Sequence, residues 1–496
     1  VSAAKPEASL RENMAAGDQS LRDRRALVAI DLGAESCRVS LLRWLAHGPS
    51  IQLIHRFPNR AVEFGGELRW NLQEIQRELV LGLVRCAETA SEGIRSIGVD
   101  GWAVDYVRLN PEGEPVGDPF CYRDPRTLAA EIAAHERLSA EHMRELTGVQ
   151  IQRINTAYQL LADHPSHRTL PWLNLPEYIL HWLGGRPVAE RTNATHTQLV
   201  GLDGNWSEQV FNGLELLQSA APELVDAGTD LGRLSGRLAE LPAFHDTRLI
   251  APACHDTASA VAAIPDQRDD WAYISSGTWS LVGTLLDAPL NTPEACEANF
   301  TNLAAAGGKV CFHKGVNGLW ILRQCLESWN EAGARLSIVD VVEFAAAHPD
   351  RGYALEVDDP ELLLQGNMPE RINAQLRRRG LPEMSPEPEH AGELASFLFH
   401  SLAARYAEVL HRIAQLTGRE FRRLYIMGGG SQNALLNRLT SRATGLPVHA
   451  AAPESSTLGN FAIQLASLEA LPTGIARYGE ICEWAKRLTQ ASVRKA

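Results

Sequence analysis

The 496-residue sequence contains no Gly-Lys-Ser or Gly-Lys-Thr tripeptide, so it carries no Walker-type phosphate loop. It has no Cys-x-x-Cys pair, and its eight cysteines are scattered, several inside apolar segments. That excludes a zinc ribbon or a dithiol redox motif and fits buried thiols in a reducing compartment. No run approaches the roughly 20 apolar residues that a bilayer span requires. The start, residues 1–25, is polar and lacks the continuous apolar core of a signal peptide, so a cytoplasmic protein is expected. The formal charge of −13 is spread along the chain with no basic block, which argues against nucleic acid and membrane surfaces as partners. A small neutral or anionic metabolite fits better.

The chain is long, and 45% of it is apolar, so two cores are expected. Residues 1–25 read as a disordered polar extension. Short β-rich runs at 27–31, 38–42 and 51–57 precede a helical period at 72–90 and a strand at 94–99. The second half repeats that order, with strands at 271–275, 279–286 and 309–312, helices at 316–329 and 391–417, a strand at 424–427 and a helix at 432–443. The pattern predicts a duplicated α/β unit with a cleft between its copies. The division is expected near 241–248, where Pro242 and polar residues interrupt the pattern, giving units 26–247 and 248–488. The stretch 358–390, rich in proline and charge, reads as a surface excursion.

Asp256 lies between an apolar strand pattern and an alanine-rich helix pattern, at the rim where α/β sheets place their chemistry. It also reads as a plain helix cap, accepting from the N–H of Ala258 or Ser259. Two glycine turns change that balance. Asp31-Leu32-Gly33-Ala34-Glu35-Ser36-Cys37-Arg38 offers backbone donors for phosphate, with Asp31 placed for a Mg²⁺ water shell and Arg38 for phosphate oxygens. Ser275-Ser276-Gly277-Thr278 holds the same place in the second half. Gly428-Gly429-Gly430-Ser431-Gln432-Asn433 follows a strand, where bare backbone admits a purine or ribose and Ser431 is placed to cap the next helix. Asp100-Gly101-Trp102-Ala103-Val104-Asp105-Tyr106 offers aromatic faces and carboxylates to a sugar, although Trp102 also reads as core and Asp105 as a turn residue. His255 titrates nearer neutrality, but a hydroxyl attacking a phosphoryl group needs little push, so Asp256 suffices as base.

These pieces in this order resemble the FGGY family of carbohydrate kinases, over about 27–470. The resemblance rests on Arg56-Phe57-Pro58-Asn59, Ser96-Ile97-Gly98-Val99-Asp100, Tyr122-Arg123-Asp124, Thr192-Asn193-Ala194-Thr195, His255-Asp256-Thr257-Ala258-Ser259-Ala260, the run 275–281 and the run 428–433. It implies two ribonuclease-H-like domains of the actin and hexokinase type with a nucleotide cleft between them. It also implies Mg·ATP-dependent transfer of the γ-phosphoryl group to the 1-hydroxyl of L-rhamnulose, by a monomer or homodimer. By that likeness Asp256 is the base, with His255 and Thr257 at the sugar. Ala34, Glu35, Ser36, Cys37, Arg38, Gly277 and Thr278 flank the phosphates, Gly429 lies at the adenine site, and Gly430 and Asn433 also bind the nucleotide. The sequence departs from the family at Cys37, where a glycine is usual and a left-handed φ would be strained. It departs also at Ala103 and Gly315 on the sugar side, at Arg323 near ATP, and at Leu303-Ala304-Ala305. Other readings of the same fold are a kinase for L-fuculose, xylulose, glycerol or a similar acceptor, and a non-catalytic ATP-binding sensor.

Overall fold

The computed structural model describes residues 21, 23–46, 48–452, 454–470 and 476–493. The expected polar extension therefore lies outside the described residues except for positions 21 and 23–25.

Two six-stranded sheets dominate. In the first, Ala26–Leu32 is fully buried along its length, as a central strand covered on both faces must be. It pairs antiparallel with Ser36–Leu45, which pairs antiparallel with Gly48–Pro58. On its other side Ile94–Gly101 runs parallel to it, and Arg248–Ala251 runs parallel to that. The second sheet repeats this order with Trp271–Ser276 at its centre, Trp279–Leu286 and Lys309–Asn317 antiparallel on one side, and Arg423–Met427 and Val448–Ala450 parallel on the other. Each copy adds one edge strand, at opposite ends: Thr229–Arg233 in the first and Thr301–Ala305 in the second. The duplicated α/β architecture expected from the periodicity is the one observed.

Three details differ from expectation. Leu249 and Ile250 sit in register with Ile97 and Gly98, so the strand expected to open the second unit belongs to the first sheet. A short apolar segment goes where an open sheet edge can satisfy its N–H and C=O groups. Val316, expected in a helix, extends the strand Lys309–Asn317, because the whole of Trp279–Leu286 is available to pair with it; the helix begins at Trp320. The stretch 358–390 contains the helix Met368–Arg378, whose Met368, Ile372 and Leu376 are fully buried in the second core.

The lobes are joined by two helices, Asp256–Ala262 and Ser455–Glu469. They cross at Gly459, where a β-carbon would overlap the carbonyl oxygen of Ser259. The second helix follows the second sheet in the chain yet binds the first. Asn460 Nδ2 donates to Asp100 Oδ2 at 2.6 Å, and Gln464 Nε2 donates to the Val28 carbonyl at 3.0 Å. A separate apolar cluster around Tyr158, Trp172 and Phe211 forms a cap on the first lobe. Among the described residues, no helix is long and apolar enough to cross a membrane.

Candidate active site

The strand Arg248–Ala251 ends below the crevice between the lobes, and the helix Asp256–Ala262 starts there with His255 at its N-cap. Asp256 is not the cap. Its Oδ1 accepts from the Thr257 N–H at 2.5 Å and from Thr257 Oγ1 at 3.2 Å, and His255 Nε2 stands 3.4 Å from the same oxygen. The side chain keeps 39% of its surface open to the crevice, but protein surrounds it closely. Loss of bulk hydration, with the Asp31 charge nearby, raises its pKa to about 7.

A cavity of about 200 Å³ contains Asp256, Asp31, Gly33, Arg38, Ser275 and Gly429. Asp31 Oδ2 accepts from Arg38 Nη1 at 3.1 Å and from Ser456 Oγ at 2.8 Å, while Arg38 Nε lies 3.1 Å from Glu454. The guanidinium is thus pinned between two carboxylates beside the crevice. Asp100 is in register with Asp31 on the adjacent strand. Its Oδ2 is bonded to Asn460, but the fully buried Oδ1 has no hydrogen-bond partner. Burial and the neighbouring charges of Asp31 and Asp256 push its pKa well up. Such a crowd of acids around an oxygen with no donor fits a divalent cation, which would relieve the repulsion.

The first glycine turn lines this cavity through Gly33, and the second contributes Ser275 to it while its Gly277 lines the adjoining one. In the first, a β-carbon on Gly33 would overlap the Ser36 carbonyl, so the turn closes only with glycine. Asn59, which sequence reasoning did not assign to the site, staples it through Nδ2 to the Gly33 carbonyl at 3.0 Å and through its N–H to the Glu35 carbonyl at 2.9 Å. Cys37 is fully buried and does not adopt a left-handed φ, so the expected strain is absent; its Sγ donates to the Gly33 carbonyl at 3.7 Å. In the second lobe, Gly277 N–H donates to the Trp279 carbonyl at 2.9 Å, and the Leu319 N–H returns to the Gly277 carbonyl at 3.0 Å.

The three consecutive glycines divide their work. Gly428 has φ of 79°, and a β-carbon there or on Gly430 would collide with Ser276. Gly429 has open space around its β-carbon position and lines the crevice. Asn433, not Ser431, caps the next helix, its Oδ1 accepting from the Leu436 N–H at 3.0 Å. An acceptor at 433 stands three residues before the Leu436 N–H, the reach of an N-cap, whereas the Ser431 hydroxyl donates to the Ala451 carbonyl. Arg323 pairs with Glu35 and with Glu327, so it bridges from a second-lobe helix to the first-lobe turn. Ala34, Glu35, Ser36, Thr278, Gly430 and Asn433 line neither this cavity nor the next one.

A second cavity, of about 360 Å³, adjoins the first and shares Thr257, Ser275, Gly428 and Gly429 with it. Trp102, Ala103, His255 and Gly315 line it, and so does Gly277, which the sequence places at the phosphates. Asp105 does not. Its carboxylate is wholly buried behind the wall, where Oδ2 accepts from Trp70 Nε1 at 2.6 Å, Trp102 Nε1 at 2.9 Å and the Tyr122 N–H at 3.2 Å. Burial lifts its pKa to about 6 even against these donors. It holds the aromatic wall instead of touching what the wall encloses. Val104, a β-branched residue at φ of 73°, bulges at this wall, its carbonyl held by Thr156 Oγ1 at 2.7 Å and Gln159 Nε2 at 3.2 Å. Sequence reasoning missed Gln150, Gln152 and His313 in the lining, and His196 it left in an unassigned polar run. Only the alternation of the strand Lys309–Asn317 could have pointed to His313.

Two family models match this chain: the N-terminal domain of the FGGY family of carbohydrate kinases over residues 26–263, and the C-terminal domain of that family over 272–468. The chain is 35% identical over 453 residues to a rhamnulokinase of Enterococcus faecalis, covering 89% of each. It is 37% identical over 457 residues to a rhamnulokinase of Pectobacterium carotovorum, covering 90% of this chain and 88% of the relative. Among solved structures, a ligand-bound xylulose kinase from Lactobacillus acidophilus superposes with a TM-score of 0.74 at 13% identity, covering 95% of this chain and 97% of the other. Glycerol kinase of Plasmodium falciparum with ADP superposes with a TM-score of 0.70 at 12% identity, covering 90% of both.

Proposed function

Because the chain belongs to the FGGY family of carbohydrate kinases, we propose that it transfers the γ-phosphoryl group of Mg·ATP to the 1-hydroxyl of L-rhamnulose. The observation that carries this reading is the position of Asp256 in the phosphate-side cavity next to Thr257, which lines both cavities, with one carboxylate oxygen held by Thr257. Asp256 takes the proton from the sugar O1, O1 bonds to the γ-phosphorus, and the bond from that phosphorus to the bridging oxygen of ADP breaks. Because the transition state is loose, a positioned carboxylate with a pKa of about 7 is sufficient. Arg38 and the exposed main chain at Gly33 and Gly429 stabilise the phosphate oxygens. Asp31 and Asp100 would hold the divalent cation, which supplies charge neutralisation on the phosphates.

The acceptor is argued from the second cavity and from the relatives. Val149, Leu281 and Leu303 line part of it, an apolar patch suited to the methyl carbon of a 6-deoxyketose. Trp102 offers a flat face to the sugar ring or chain. The same patch disfavours glycerol, which has no methyl group to cover it. We draw the division between the lobes after the helix Asp256–Ala262, so that the base travels with the sugar-side lobe. An ADP-release assay over L-rhamnulose, L-fuculose, xylulose and glycerol tests the assignment. L-Rhamnulose should give the highest kcat/KM; turnover with none of the four would overturn it.

A further inference from the structure

His196 belongs to no motif that the phosphoryl transfer uses, yet it is built into the floor of the acceptor cavity. It sits in the one-turn segment Thr195–Thr197, which is tied down on every side. Thr195 Oγ1 accepts from the Ala304 N–H of the second sheet at 3.2 Å, and Thr197 Oγ1 donates to the Ala194 carbonyl at 2.6 Å. The turn ends at Gln198, at φ of 62°, whose amide bonds to Asn155 and to the Val149 carbonyl.

From this anchored turn His196 Nε2 meets His255 Nδ1 at 3.1 Å, with the rings 4.0 Å apart. The other ring nitrogen of His255 stands 3.4 Å from Asp256 Oδ1, long for a hydrogen bond, as such contacts are before substrate closes a site. The main chain beneath is equally fixed. Glu190 Oε2 accepts from the Cys254 N–H at 2.8 Å and from Thr192 Oγ1, which in turn accepts from the His255 N–H at 3.3 Å.

We propose that His196 is a positioning residue that fixes His255 as the Nε2–H tautomer, so that His255 donates to Asp256 Oδ1. A neutral imidazole has one N–H and one lone pair. Only the Nε2–H form places a donor at the carboxylate and a lone pair at His196. The opposite form sets two acceptors against each other at Asp256. Both rings are held neutral: burial takes His196 down to about 3, and burial together with the neighbouring His196 and His313 takes His255 well below its ordinary value. With Thr257 donating twice to Oδ1 and His255 placed as a third donor, rotation of the carboxylate is restrained and Oδ2 is left for the acceptor hydroxyl.

The inference rests on Asp256 being the base, and its test separates the two. Nitrogen-15 spectra of the imidazoles, with His255 identified through a His255→Asn spectrum, report the tautomer without any turnover. In the parent protein His255 should show a protonated Nε2 and a bare Nδ1. His196→Phe, which keeps a ring in place, should yield mixed tautomers at His255 and lower kcat about tenfold, with the KM for ATP within about twofold. His196→Gln, whose amide nitrogen can donate to His255, should restore the tautomer and most of kcat. A His196→Phe protein with the parent spectrum and parent kcat would overturn the proposal. So would a His196→Gln protein as impaired as His196→Phe, which would reduce His196 to packing. A parent protein that phosphorylates no ketose while showing the fixed tautomer would instead strike at the kinase reading alone.

Discussion

The two cavities that meet at Thr257, beside Asp256, are built from different materials. The phosphate-side crevice is made by backbone: Gly33, Gly428 and Gly429 present main chain, and the side chains that matter there, Asp31 and Arg38, lie within seven residues of each other. The acceptor cavity is made by side chains from distant segments, and these are held by buried polar groups that never touch its contents. Asp105 aligns two indoles, and Glu190 carries the loop before Asp256. A backbone site tolerates substitution of side chains but not of those glycines whose β-carbon would strike neighbouring main chain. A side-chain site tolerates neither loss of lining nor loss of the layer behind it.

The sharpest way to test that contrast is at the junction of the cavities, where Asp256 adjoins the shared Thr257. Asp256→Asn should lower kcat by about 10² to 10⁴ while ATP affinity stays within a few-fold, by rapid kinetics and nucleotide titration. A variant with near-parent turnover would remove Asp256 from the reaction. Next in size is the layer behind the acceptor wall. Asp105→Leu leaves the Trp70, Trp102 and Tyr122 N–H groups buried without an acceptor, and should cost about 3 kcal/mol in urea unfolding. The surviving folded protein should show a raised KM for the sugar and an unchanged KM for ATP; a raised KM for ATP alone would invert the comparison.

On the backbone side, two adjacent glycines should behave differently. Gly430→Ala drives a β-carbon into Ser276 and should destabilise by about 1–3 kcal/mol, because the two turns must separate. Gly429→Ala meets open space and should stay within about 0.5 kcal/mol of the parent. Equal effects from the two would refute the division of roles. A last test concerns pH. Burial and the neighbouring Glu190 raise Glu177 from 4.5 to about 8. The folded state therefore holds a proton that the unfolded state releases between those values, so stability falls as pH rises from about 4.5 to about 8 and levels above that. Glu177→Gln, which stays neutral, should flatten that fall when urea midpoints are compared at pH 6 and 8.

Much of this architecture was legible before any coordinates. The hairpin, strand and helix order of both lobes followed from periodicity, and Gly33 and Gly428 marked real turns because only glycine fits their close contacts. Asp256 was identifiable as a carboxylate between a strand and a helix. Asp105 was misjudged as a sugar contact because an Asp beside aromatics looks the same whether it faces a ligand or stands behind the wall. The strain expected at Cys37 did not arise, since the residue continues a strand and turns its thiol inward. The partnership of His196 with His255 spans 59 residues and left no local trace.

Local chemistry wrote the elements of this protein into its chain: glycine sterics place turns, apolar period places strands and helices, and an acid at a strand end marks the rim. Which strand joins which sheet, which carboxylate faces the crevice and which histidines touch were decided only when the sheets closed. Those choices depend on hydrogen-bond partners and packing surfaces supplied by segments far away in the chain, as when Arg248–Ala251 completes the first sheet and Ser455–Glu469 returns to seal it.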